Sequence, residues 1–272
     1  MGKCREREDP DRAVAWWPIT DWPKLRIDRS QLATLLDAVL AVVFAPSCAA
    51  CEGLLEHPTA GPVCPSCWGA ILPLTPPLCQ ACGDPLATWR AIDIQAEKCP
   101  RCRRRRSAIE QARAIGAYDG PLRAIVHALK YEGRRSLAPQ LAAMMRARCS
   151  EVLAGSFCVV PVPLHSSRRR ERGFNQAVDL ARCLDRPVLK ALRRVRATPS
   201  QAALPAARRH QNVRNAFAVT RTARLLQGEI VVLVDDVCTT GATLEACARV
   251  LKAAGVAQVR ALTAARVVAS PR

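Results

Sequence analysis

Apolar and polar positions follow two regimes along this chain. From residue 107 onward, short continuous apolar runs alternate with stretches whose apolar positions fall three and four apart. Ala112 to Tyr118 (ARAIGAY) predicts a strand ending at Asp119-Gly120, Pro121 opens a helix through Lys130, and a second helix is predicted from Ser136 to about Cys149. Phe157 to Val162 (FCVVPV) reads as a strand buried on both faces, followed by a helix from about Asn175 to Cys183. Glu229 to Val237 (EIVVLVDDV) is the strongest strand signal. A helix over Thr243 to Ala254 follows and stops at Gly255, and Val256 to Ala264 closes with another strand. Such alternation predicts an α/β fold, a mainly parallel sheet flanked by helices.

The first hundred residues behave differently. Residues 1–28 hold Pro10, Pro18 and Pro23 among Trp16, Trp17 and Trp22 without a period, which predicts a disordered arm. The arm is charged and has no apolar core before a cleavage site, so no secretory leader is expected. Leu32 to Phe44 (LATLLDAVLAVVF) predicts an apolar helix between the N-caps Asp28 and Ser30 and the stop at Pro46. It is shorter than the ~20 residues a spanning helix needs. It is expected to pack on the segment that follows, or alternatively to rest on a membrane surface. Residues 46–106 are rich in Cys and Pro and poor in either period, so metal must hold them together. Three units follow: the arm 1–28, a helix plus Cys-rich domain 29–106, and an α/β domain 107–272.

Composition sharpens this division. Half the residues are apolar, which excludes wholesale disorder, and aromatics are only 4 %, which argues against a surface built for base stacking. Lys and Arg exceed Asp and Glu by 41 − 23 = 18, pointing to polyanionic partners, either nucleic acid or phosphorylated small molecules. Eight of the 14 cysteines form four C-x-x-C pairs within 55 residues. In a reducing cytosol such pairs are metal ligands rather than disulfides. Sequential pairing assigns Cys48, Cys51, Cys64 and Cys67 to one Zn²⁺ and Cys79, Cys82, Cys99 and Cys102 to another, as two zinc ribbons. A cross-braced pairing and an iron–sulfur cluster are the alternatives. With four protein ligands per ion, these sites are expected to be structural. Arg101 and the run Arg103 to Arg106 directly follow, either as a phosphate contact for DNA or as a solvated linker.

The sharpest chemistry lies in VVLVDDVCTTGATL, residues 231–244. A buried strand delivers Asp235 and Asp236 to its carboxyl end. The turn Thr239, Thr240, Gly241, Ala242 and Thr243 then leads into a helix whose N–H groups and hydroxyls can cradle an anion. Two carboxylates beside a phosphate cradle suit a sugar diol next to its phosphate. Neither a Walker loop nor a dinucleotide G-x-G-x-x-G pattern is present.

This run resembles the phosphoribosyl pyrophosphate (PRPP) signature of the type I phosphoribosyltransferases. The four C-x-x-C pairs, YDGPLRAIVHALKYEGRRSLA (118–138), VVPVPLHSSRRRERGFNQA (159–177) and RRHQNVRNAF (208–217) extend the resemblance to the ComF family of competence proteins, over roughly residues 30–268. The resemblance implies a type I phosphoribosyltransferase-like fold, with Asp235 and Asp236 holding the ribose hydroxyls as catalytic residues and the 239–243 turn holding the 5′-phosphate. Lys130, Arg168, Arg169, Arg170 and Arg172 are then the candidates facing the pyrophosphate and its Mg²⁺. Gly173 and Asn175 either join them or only shape the backbone. By the same resemblance, Ala197 to Phe217 is a mobile lid or simply a surface hairpin. His57, His127, His165 and His210 read as structural or surface residues, and no general base can be named. Three functions follow: a role in natural transformation, handling incoming single-stranded DNA with competence-machinery proteins in the cytoplasm or at the inner face of the membrane; an active phosphoribosyltransferase with an unknown acceptor; or a non-catalytic PRPP sensor.

Overall fold

The computed structural model describes residues 29–86, 98–196 and 215–268; the predicted arm (1–28), His210 and most of the predicted lid lie outside them. Four strands, β1 (Gln111–Ala117), β2 (Cys158–Pro161), β5 (Ile230–Cys238) and β6 (Gln258–Arg266), form one sheet in the order β1-β6-β5-β2. All three pairings are parallel, with Val160 opposite Leu233 and Val232 opposite Arg260. Alternate residues of β5 serve opposite faces, as the two-residue period requires. Val232 and Val234 join a core with Ile125, Leu129, Leu141, Met145 and Leu180, drawn from α4 (Gly120–Tyr131), α5 (Ala138–Arg148) and α8 (Gln176–Arg182). Val231 and Leu233 face Leu244, Ala248 and Leu251 of α9 (Ala242–Ala253) on the other side. Each strand predicted from its apolar run is present within two residues of its expected bounds.

Two features were not predicted. The Arg-rich stretch after β2, for which the apolar pattern predicts no element, contains the helix α7 (Ser166–Arg172). His165 caps it by accepting from Ser167 N (3.3 Å), and Gly173 ends it at φ 76°, a backbone conformation glycine adopts without strain. Asn175 then caps α8, its side chain accepting from Ala177 N (3.1 Å) and donating to Val162 O (3.0 Å), so both residues shape the backbone. The second feature is a short antiparallel pair, β3 (Leu192–Arg194) with β4 (Phe217–Val219). Strands of three residues leave no readable period.

The Cys-rich segment, which carries α2 (Pro65–Gly69) and α3 (Pro100–Arg104), lies against β1. Ala112 N donates to Ala81 O (2.7 Å), Arg148 donates to Ile71 O and Ile115 O, and Leu55, Val63, Cys67 and Ile71 complete the core around Leu122. At Gly116 a Cβ would stand 2.7 Å from Leu72 O, so only glycine admits this contact. Helix α1 (Arg29–Phe44) docks differently from the apolar packing expected. Its buried Asp37 accepts from Thr59 N (2.8 Å) and meets His57 Nδ1 (3.3 Å), while Leu35, Val39, Val42 and Val43 are exposed. A polar anchor, not the apolar face, fixes this helix. Among the described residues, no helix is long and apolar enough to cross a membrane.

Candidate functional site

A cleft of about 370 Å³ opens at the carboxyl ends of β5 and β2, where parallel α/β sheets bind ligands. It brings together Lys130, Arg168, Arg172, Asp235, Asp236, Thr239 and Thr243 of the predicted set. Lys130 comes from the last turn of α4, and its Nζ lies 2.9 and 3.0 Å from the two carboxylate oxygens of Asp236, which is buried. Burial opposes the Lys130 charge, yet the neighbouring Asp236 and Asp235 carboxylates hold its ammonium above the ordinary range. Asp235 Oδ1 accepts from Asp236 N (2.9 Å). Burial, and then the adjacent Asp236 charge, push the Asp235 carboxyl up to about 7 despite Lys130. The cleft thus holds two adjacent carboxyl groups, with the Lys130 ammonium paired to Asp236.

Arg168 and Arg172 reach the cleft from α7, four residues apart on one helical face. Arg169, one residue on and so turned about 100° around the helix, faces a neighbouring groove instead. Arg170 lines neither. The turn after β5, residues 239–243, likewise divides. Thr239 and Thr243 face the cleft, whereas Thr240 and Gly241 line a small cavity of about 90 Å³ beside the second cysteine cluster. The Thr240 hydroxyl is buried there without a partner among the described residues. Ala242 is the buried first residue of α9, and Gly241 caps that helix at φ 76°. The leading N–H groups of α9 have no intrahelical acceptor.

The cleft also contains residues the sequence did not single out. Tyr131 carries the Arg172 guanidinium 4.9 Å above its ring, and Gln176 donates to Lys130 O (3.3 Å). Arg194 enters from β3, with its guanidinium 5.4 Å above the Phe217 ring. Burial, reinforced by Arg168, lowers its pKa. Tyr131 and Gln176 sat inside the blocks that resemble ComF; Arg194 lay in a three-residue strand with no signal at all.

The Asp235 shift contributes its own pH dependence to the ligand-free fold. Its folded pKa, about 7, exceeds the ordinary 3.8, so the folded state binds more protons between these values. Stability is therefore undiminished below pH ~4 and falls as pH rises to ~7. Asp235→Asn is expected to raise the melting temperature relative to the wild type, by more at pH 8 than at pH 5. Partial exposure of the carboxyl limits the effect to the order of 1–2 kcal/mol. Melting curves at the two pH values check this, and an equal difference at both would refute it.

Three relatives decide the family. The chain is 32 % identical to Competence protein F of Haemophilus influenzae over 229 residues, 80 % of this chain and 96 % of that one. It is 35 % identical to DNA utilization protein YhgH of Salmonella typhimurium, over 67 % of this chain and 81 % of that one. With Competence protein ComFC of Bacillus subtilis the identity is 30 %, over 72 % and 80 %. The chain belongs to the ComF family. Within it, residues 171–271 match the phosphoribosyl transferase domain and residues 39–103 the double zinc ribbon domain. The first match takes in Arg172, Arg194 and the whole 235–243 run; Lys130 and Arg168 lie ahead of it. A solved structure of the allosteric regulatory enzyme of purine biosynthesis overlaps 47 % of this chain and 25 % of its own at 23 % identity, with a TM-score of 0.32.

The double zinc ribbon of this ComF chain has the sequential pairing. Cys48, Cys51, Cys64 and Cys67 gather their sulfurs within 4.8 Å of one another, and so do Cys79, Cys82, Cys99 and Cys102. The Cys51–Cys64 and Cys82–Cys99 sulfurs are 3.9 and 3.7 Å apart, matching the ~3.8 Å edge of a tetrahedron with ~2.3 Å Zn–S bonds. Backbone N–H groups support the thiolates: Cys64 N and Ala50 N donate to Cys48 Sγ, and Cys99 N to Cys79 Sγ. The donor set and spacing fit structural Zn²⁺. The second ribbon is also tied to the turn after β5. Its Asp84 pairs with Arg266 at the end of β6, and Arg266 Nη1 donates to Cys238 Sγ (3.2 Å), one residue before Thr239.

Proposed function

We propose that the cleft binds PRPP as its Mg²⁺ complex, and that the protein uses this site in natural transformation, in the handling of incoming single-stranded DNA. The observation that carries the reading is the carboxylate pair at the end of β5, flanked on one side by the leading turn of α9 and on the other by Lys130, Arg168 and Arg172. Asp235 and Asp236 accept the ribose hydroxyl protons. Thr239, Thr243 and the N–H groups of the 239–243 turn take the 5′-phosphate, helped by the positive end of the α9 dipole. Lys130, Arg168 and Arg172 face the pyrophosphate, and Arg169 stays outside this set. Mg²⁺, when bound, offsets pyrophosphate charge and polarises the leaving group.

The DNA role is supported by what the relatives are called, by the net charge of +18 and by the exposed run Arg103 to Arg106, which has no acidic partner among the described residues. In this reading residues 29–106 contact DNA or competence-machinery proteins, residues 107–272 hold the ribose phosphate, and the protein works in the cytoplasm or at the inner face of the membrane. A phosphoribosyltransferase reaction is the second reading, favoured by the cations around the leaving-group position, which suit an oxocarbenium-like transition state. Calorimetric titration of Mg²⁺–PRPP into zinc-loaded protein tests the site. Wild type is expected to bind, and Asp235→Asn/Asp236→Asn to lose affinity at least ~100-fold, equivalent to about 1.4 kcal/mol for each hydrogen bond lost to the diol. Failure of the wild type to bind would sink the proposal.

A further inference from the structure

Across α7 from the ribose-phosphate cleft lies a second groove, of about 450 Å³, walled by α7, α8 and β3. Arg169, Arg182, Lys190 and Arg193 line it and are exposed, and none has an acidic partner within 4.0 Å among the described residues. The one carboxylate lining the groove among the described residues is already neutralised. Asp179 is held by Arg135 through two hydrogen bonds of 2.7 and 2.8 Å. Four cations around one concavity, with no counter-charge of their own, concentrate positive potential and select an anion.

The rest of the lining narrows the class of anion. The floor is apolar, with Leu164 and Val178, and the half-buried Phe174 ring stands at its edge with the Arg135 guanidinium 5.5 Å from the ring centre. A bare phosphate would leave that apolar surface unused. A flat heteroaromatic base beside a phosphate uses both parts, since bases pack on aromatic and guanidinium planes while cations take the phosphate. The volume suits one nucleotide. Groove and cleft share Pro163, Leu164 and Arg194, so they are neighbours across a single wall.

We infer that this groove is a nucleotide site, taking a nucleoside 5′-monophosphate either free or as the end of a strand. It stands on its own residues and does not depend on the ribose-phosphate reading. The test titrates adenosine 5′-monophosphate, and separately a 5′-phosphorylated thymidine octamer, into zinc-loaded full-length protein and into Arg182→Glu/Lys190→Glu. Both positions are exposed and outside the cleft, so a melting curve and the Mg²⁺–PRPP titration should match the wild type. At least one probe is expected to bind the wild type, and to bind the variant about 10–100-fold more weakly, the size of one or two lost charge-assisted contacts. Should the charge reversal disturb folding, Arg182→Gln/Lys190→Gln is expected to give a smaller loss of the same sign. Binding of the monophosphate assigns the groove to free nucleotides; binding of the octamer alone assigns it to strand ends. Equal affinity in wild type and variants, no binding of either probe, or a parallel loss of Mg²⁺–PRPP affinity overturns the inference.

Discussion

Chelating both zinc ions is expected to unfold the Cys-rich module and to strip stability from the α/β domain as well. Apparent zinc-binding energies of structural Cys sites are about 10–16 kcal/mol each, comparable with the whole stability of a typical domain. The module is not an appendage whose loss leaves the remainder intact. Leu55, Val63 and Ile71 complete the core around Leu122, and the chain at Leu72 lies on Gly116 of the edge strand. Without metal that face of β1 and α4 is exposed to water, and aggregation should follow. Metal analysis is expected to find two zinc ions per chain, one for each cluster. Thermal unfolding before chelation, after it, and after zinc is restored should show a large fall followed by recovery. An apoprotein that melts like the holoprotein would refute the idea that metal organises residues 46–106.

Replacing Lys130 by Met should have the next largest effect. Among the described residues Lys130 is the one ammonium against the buried Asp236, at 2.9 Å, and its removal strands two adjacent carboxylates in the cleft. Leaving a buried charge uncompensated costs about 3 kcal/mol or more at pH 7. The sign of the pH dependence follows from the protons. Without Lys130 the carboxylate pair holds a proton to higher pH in the folded state than in the unfolded chain, so the deficit grows as pH rises and fades below pH ~4. Urea denaturation at pH 5 and pH 8 should show the larger loss at pH 8. The Lys130→Met/Asp236→Asn double variant should recover most of it, because both partners of the pair are then neutral. A Lys130→Met protein as stable as the wild type at pH 8 would mean that the ion pair does not hold the cleft in shape.

How much of this was legible beforehand differs between the sheet, the cleft and the module. The strands from Ala112, Phe157, Glu229 and Val256 were readable because a strand buried on both faces must be continuously apolar, a pattern that survives without knowledge of its neighbours. Asp235, Asp236 and the turn to Thr243 were readable because strand, turn and helix start are contiguous in sequence, so their chemistry is placed by local geometry. The cysteine pairs were equally plain, since a knuckle needs two thiolates at fixed spacing.

The facing of individual side chains was not readable. The four arginine candidates of the 168–172 stretch looked equivalent, yet the α7 helix turns Arg168 and Arg172 into the cleft and Arg169 out of it. Its formation depends on the caps at His165 and Gly173, which a run of charged residues conceals. Arg194 joined the site from a three-residue strand whose pattern carried no chemistry, and Tyr131 from the position after Lys130, where nothing local marks it. Helix α1 looked like an ordinary apolar packing helix, and only the tertiary contacts showed that Asp37 anchors it while its apolar side is left outward.

The chain by itself therefore determined the sheet, the two cysteine clusters, the strand–turn–helix at 231–244 and the family. Periodicity and ligand spacing are local properties, and burial or metal acts on them wherever they fall in space. Tertiary structure alone decided which ammonium balances Asp236, which arginines share its cleft, and that the zinc module closes the core of the α/β domain. Those pairings join residues far apart in the chain, and they exist only once packing has brought α4, α7 and β3 to the ends of β5 and β2.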